Sequence, residues 1–110
     1  MLNLPATRNN QQRAQRYAIR TPLRYRIRGQ SEWRQGTTEN ISYCGVLFRC
    51  EHFLEPDTPI EMRWAVPVAA FGRGGAQVHC RGTVVRATKD ASDDLETVAS
   101  SISHYRIIQP

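Results

Sequence analysis

Apolar positions recur at every second residue over much of the chain. Leu23, Tyr25 and Ile27 alternate with Arg24, Arg26 and Arg28. One side of that run is apolar and the other cationic, the pattern of a half-buried strand. Pro22 stands just before it, where a missing amide donor does least harm. Ile60, Met62, Trp64 and Val66 repeat the pattern around Glu61 and Arg63, and Pro67 ends it. Shorter runs predict strands from Trp33 to about Glu39 and over Val46–Cys50. A longer one covers Gln77–Thr88, with a bend or bulge expected at Gly82. Glu96–Ile108 reads as one last strand, although small residues weaken its alternation. Turn residues separate these runs: Gly29–Glu32, Asn40–Gly45, Pro56-Asp57 after the Phe53 loop, the tip Phe71-Gly72-Arg73-Gly74-Gly75, and the charged turn Lys89–Asp94. No segment carries a long 3.6-residue apolar period. Six strands on short turns predict an all-β fold, a six-stranded antiparallel β-barrel, because closure removes exposed edges. Residues 1–15 are polar and aperiodic. They read as a flexible N-terminal arm, with room for one helical turn near residues 10–15, ahead of a barrel domain at 16–110.

Composition narrows the classes. A chain of 110 residues supports one small core. No run reaches the length of a membrane helix, and the first residues are too short and weakly apolar for a secretory signal. The expected location is therefore cytoplasmic, with no membrane insertion. Cys44, Cys50 and Cys80 are odd in number and form no CxxC pair, which argues against a disulfide framework. The irregular spacing of His52, His79 and His104 around them argues against a metal site.

Charge changes the picture more. The formal net charge is +5. Residues 1–34 hold eight arginines and one acid, 8 − 1 = +7; residues 35–110 hold six arginines, one lysine and nine acids, 7 − 9 = −2. Arginine outnumbers lysine fourteen to one. Its planar fork binds phosphate bidentately and stacks on bases, which lysine cannot do.

Two stretches carry candidate chemistry. Asn40-Ile41-Ser42-Tyr43-Cys44-Gly45 is a polar turn with an amide, a hydroxyl and a glycine that admits close approach to the backbone. Taken alone it is also an ordinary Asx or Ser turn. Arg16 and Arg20 lie four apart, so helical and extended conformations both set them on one side. Two such forks can hold phosphate and the O6/N7 edge of guanine. Taken alone they are also a solvated basic arm.

The order RxxxR (Arg16, Arg20), first strand, second strand, NxSxxG (Asn40, Ser42, Gly45) resembles the PilZ domain. The flanks Thr21-Pro22-Leu23, Val46-Leu47-Phe48 and Gly82-Thr83-Val84-Val85 are similar too, and the resemblance spans roughly residues 12–108. It implies a six-stranded barrel that binds the bacterial second messenger cyclic di-GMP, with no other cofactor, and that acts through a downstream protein partner. By that resemblance Arg16 and Arg20 contact phosphates and guanine edges. Asn40 and Ser42 reach a guanine edge and a phosphate, and Gly45 keeps the turn tight. Arg13 and Arg86 are additional candidate contacts. One position departs from the common pattern: Asn40 stands where aspartate is frequent. An amide has one acceptor where a carboxylate has two for guanine N1–H and N2–H₂, so weaker affinity is expected, by about 1–2 kcal/mol.

The remaining candidates have blander readings. Cys44 is expected to be a small packing residue and not a redox sensor. Tyr25, Trp33, Phe48 and Trp64 are expected in the core or barrel wall and not as base-stacking platforms. Arg24, Arg26 and Arg28 are expected only to solvate their strand. The glycines at 72–75 open no helix and read as a hairpin tip. No nucleophile–base or paired-carboxylate arrangement stands out, so the chain does not read as an enzyme. Two other functions fit the basic arm less well: a barrel that binds nucleic acid, and a PilZ-like adaptor that docks proteins without a nucleotide.

Overall fold

A computed structural model describes residues 15–66, 75–89 and 94–108. Seven strands account for most of them. β1 (Pro22–Ile27), β2 (Arg34–Ile41), β3 (Gly45–Cys50) and β4 (Pro59–Ala65) are followed by the long β5 (Gln77–Lys89), then β6 (Glu96–Ser101) and β7 (His104–Ile108). All pairings are antiparallel. The order β4-β1-β2-β3-β6-β5 is closed by β5 pairing back onto β4, and β7 adds to β5. The expected six-stranded barrel is therefore present with an extra strand.

Alternation sets the core. Leu23, Tyr25, Val46, Phe48, Ile60, Met62, Trp64, Val84 and Val98 point inward and are buried. The Tyr25 and Phe48 rings meet with centroids 5.3 Å apart at 41°, a tilted aromatic contact in the favourable range. Burial pushes the Tyr25 phenol well above its ordinary pKa. Trp33 takes the barrel-wall place and not the core one. It is only half-buried and lies on the outer wall, 4.5 Å from the Arg26 guanidinium and 4.2 Å from that of Arg63. Arg26 also pairs with Glu61 at 3.0 Å, so the cations of β1 do more than solvate it. The Pro56-Asp57 turn is formed as expected, with Asp57 at φ 72° and the Thr58 amide donating to the Glu55 carbonyl at 3.2 Å.

Three boundaries differ from the sequence reading. First, β2 runs on to Ile41, so Asn40 sits on a strand and only Ser42, Tyr43 and Cys44 turn the chain. A bulge at Glu39, between Thr38 and Asn40, lets the strand continue past the break in its register. Second, the expected last strand is divided at Ile102-Ser103 into β6 and β7. The Ile102 amide donates to the Cys44 carbonyl and the Ser103 amide to the Arg81 carbonyl, each at 2.9 Å. Third, the bulge in β5 falls between Val84 and Arg86 and not at Gly82. Gly82 marks a close crossing instead: a Cβ there would come 1.9 Å from the Ser101 carbonyl oxygen. Ser101 Oγ accepts the Thr83 amide at 3.1 Å at the same crossing. Side-chain hydroxyls thus satisfy backbone groups where the regular ladder lapses. The arm before residue 15, its helical turn, Arg13, the 71–75 tip up to Gly74 and most of the 89–94 turn lie outside the described residues.

Candidate functional site

The arginine stretch and the polar hairpin meet at the outer end of β2. Tyr17 and Ile41 form an antiparallel bridge: the Tyr17 amide donates to the Ile41 carbonyl at 2.8 Å, and the Ile41 amide to the Tyr17 carbonyl at 2.9 Å. The chain then tightens at Ala18, where the Ile19 amide also donates to the Tyr17 carbonyl at 2.8 Å. The stretch is neither helix nor regular strand, yet both arginines reach the same strand end. Arg16 Nη1 donates to Asn40 Oδ1 at 3.0 Å. Arg20 Nη2 lies 3.4 Å from Glu39 Oε1.

Thr38 anchors this arrangement, and the sequence reading missed it. Its side chain is fully buried. Its hydroxyl donates to the Ile19 carbonyl at 2.6 Å and accepts from the Thr21 amide at 2.8 Å, while its own amide donates to the Thr21 carbonyl at 3.0 Å. The segment between the arginines and β1 is thereby sewn to β2. The available signal was a threonine at an inward strand position, where a buried hydroxyl requires partners.

Ser42 is buried, and its hydroxyl serves its own hairpin. Oγ accepts from the Gly45 amide at 3.1 Å and the Cys44 amide at 3.3 Å, and the Ser42 amide donates to the Gly45 carbonyl at 2.9 Å. Gly45 does not adopt the positive φ that a tight turn could demand; among the described glycines that conformation occurs at Gly29 and Gly75. What Gly45 supplies is clearance, since a Cβ would stand 3.2 Å from the Ser100 carbonyl of β6. Cys44 is exposed, contrary to the expectation of a packing residue.

The ladder registers extend the site across the wall. Asn40 faces Leu47, Leu47 faces Ala99, and Ala99 faces Arg86. Directly paired residues share a face, so these four form one outward row across β2, β3, β6 and β5. Arg86 therefore stands three strand spacings from Asn40, about 14 Å along the sheet. Beside the row, an apolar cleft of about 480 Å³ opens between the arm and β7, lined by Tyr17, Ile19, Tyr43, Trp64, Tyr105 and Ile107 among others.

Electrostatically the site is open. Arg20 has 74% of its side chain exposed, and such surface pairs contribute only about 0–1 kcal/mol. The arginines are held near their neighbours without being locked to them, and a multiply charged anion can displace both contacts. Among the described residues no three histidine, cysteine or acidic side chains come together to hold a metal. No described helix is long and apolar enough to cross a membrane.

No curated protein matches this sequence. Among solved structures the fold is similar to that of the Bacillus subtilis inhibitor of motility (MotI/DgrA), with a TM-score of 0.69 and 15% identity. The match covers 84% of this chain and 44% of that one, so the chain spans less than half the length of that protein. The PilZ domain model matches residues 8–103, a span that takes in the arginine arm, the hairpin and the whole six-stranded barrel. The chain belongs to the PilZ domain family.

Proposed function

We propose that this chain is a cyclic di-GMP receptor module that holds the ligand between its arginine arm and the outer row that begins at Asn40. The observation that carries the reading is the contact between Arg16 and Asn40. The two residues are 24 positions apart and belong to the two separate motifs. Their meeting brings two guanidiniums, an amide and the Ser42–Gly45 hairpin to one stretch of outer wall. Cyclic di-GMP carries two phosphates and two guanines. The guanidiniums supply bidentate charge-assisted donors for the phosphates and planar surfaces for the bases. Asn40 offers its amide to a guanine edge. Ser42 contributes by fixing the hairpin, and its hydroxyl reaches a phosphate only by giving up a bond within that turn. Gly45 lets β3 lie close to β6 under the ligand. Arg86 is in register to meet a ligand lying across β3 and β6, and Arg13 stands three residues before Arg16 in the sequence.

In this reading the output passes to a downstream protein partner. The structural neighbour is named for a regulatory output of its own, the inhibition of motility. The chain acts by binding and not by catalysis, and it works in the cytoplasm, where the messenger is made. Fluorescence anisotropy with labelled cyclic di-GMP tests the proposal. Saturable binding that unlabelled cyclic di-GMP displaces and GTP does not would support it. Equal displacement by GTP would mean that the arm is only a general phosphate binder.

A further inference from the structure

A second set of cations occupies the β1–β4–β5–β7 side of the barrel wall. Following the ladders, Arg24 faces Arg63, Arg63 faces His79, and His79 faces Arg106. Two residues along, Arg26 faces Glu61, Glu61 faces Arg81, and Arg81 faces His104. These are two parallel outward rows across β1, β4, β5 and β7, with adjacent positions about 4.8 Å apart. Five arginines stand against one carboxylate, 5 − 1 = +4 with the histidines neutral. A cleft of about 480 Å³ runs over all of them but Arg24, with Trp33 and Tyr105 in its lining.

Like charges set directly across a ladder disfavour pairing, as Arg24 and Arg63 are, while Glu61 offsets the arginines on either side of it in the second row. Part of the arrangement is pre-organised. Trp33 packs on Arg26 and Arg63, which limits their rotamers and leaves N–H groups for a partner. Arg81 and Arg106 are exposed. Arginine, tryptophan and tyrosine together are the residue types that dominate protein–protein hot spots. The single acid points the same way. Glu61 lies inside the second row, where a continuous phosphate chain would run past it and be repelled. A protein surface can set a donor against Glu61 and carboxylates against the arginines around it.

We infer that the β1–β4–β5–β7 wall is a docking face for an acidic segment of a protein partner. The inference rests on reading the chain as a signalling module with a protein output, but it uses none of the residues assigned to the nucleotide. The two faces share no assigned residue, so both can be filled at once.

The test uses a fluorescein-labelled deca-glutamate peptide as the acidic probe and dT15 as a nucleic-acid probe, with anisotropy read at several salt concentrations. Wild type should bind the peptide more tightly the lower the salt. Reversal at the two exposed positions, R81E/R106E, should weaken that binding at least about tenfold, while labelled cyclic di-GMP still titrates as with wild type. R16A should show the converse, with peptide binding kept and nucleotide binding lost. A failed nucleotide titration with intact peptide binding would count against the receptor reading alone. Peptide binding unchanged in R81E/R106E would overturn the docking face. So would tighter binding of dT15 than of the peptide at equal salt, which would make the wall a nucleic-acid surface.

Discussion

Asn40 is the residue on which affinity turns. Its Oδ1 accepts from Arg16 until a ligand displaces that contact, and the freed amide then brings one acceptor and an NH₂ that faces donors to a guanine edge. Replacing it with aspartate supplies a second acceptor, so N40D should bind cyclic di-GMP about tenfold more tightly, corresponding to roughly 1.4 kcal/mol. Titration of the two proteins side by side checks this, and equal or weaker binding by N40D would remove Asn40 from the guanine edge. The three thiols offer a second residue-scale outcome. Burial pushes Cys80 up to about 12, and Cys50 is buried with its thiol donating to the His52 carbonyl at 3.2 Å. Cys44 alone is exposed. Native protein should therefore release one equivalent of thionitrobenzoate from Ellman's reagent quickly and the other two only on unfolding. The positions of Asn40, Ser42 and Gly45 in the motif were legible in the sequence, but their physical work was not. Ser42 and Gly45 act through a neighbouring turn and a neighbouring strand, and a linear pattern does not show which backbone groups stand beside them in space.

The arm and β2 form one unit at the scale of elements, and Thr38 is its fastener. In T38V the Thr21 amide and Ile19 carbonyl lose their buried partner. The expected cost is about 1–3 kcal/mol, seen as a lower midpoint in urea. Faster hydrogen exchange at Tyr17 and Ile41 should accompany it, because their bridge depends on the segment that Thr38 holds. Unchanged exchange there would mean that the bridge stands without Thr38. The Gly82 crossing is a separate dependence. G82A should destabilise strongly, by more than about 2 kcal/mol, because the obstacle is backbone that must move. Strand existence was readable from alternation in β1, β3 and β4. The Glu39 bulge, the division of β6 from β7 and the role of Gly82 were not. Each is decided by which partner takes a backbone amide, as when Ile102 donates to Cys44, and that choice is made only once the barrel has closed.

The whole molecule divides its outer wall between two electrostatic faces around one apolar core. The charge bias of the first third was plain in the sequence. What the linear count concealed is that Arg24 and Arg26 belong with Arg63, Arg81 and Arg106 on a wall separate from the strand end that Arg16 and Arg20 reach. This cationic wall has a pH signature. Burial, and then the neighbouring Arg63 and Arg106 charges, hold His79 below its ordinary pKa of 6.5. The unfolded chain then takes up the proton first, so stability from this group is complete above about pH 6.5 and falls as pH drops toward the lower folded value. Thermal melts between about pH 7.5 and 5.5 should show the decline, and H79Q should flatten part of it. Closure into a barrel and the meeting of two motifs across 24 residues remain the features on which function depends. Calorimetric titration of cyclic di-GMP into wild type and R16A, at about 50 μM protein so that micromolar affinity is visible, tests that dependence most directly. Wild type should bind saturably, and R16A at least about tenfold more weakly. No heat from wild type, or equal binding by the two proteins, would contradict the clamp.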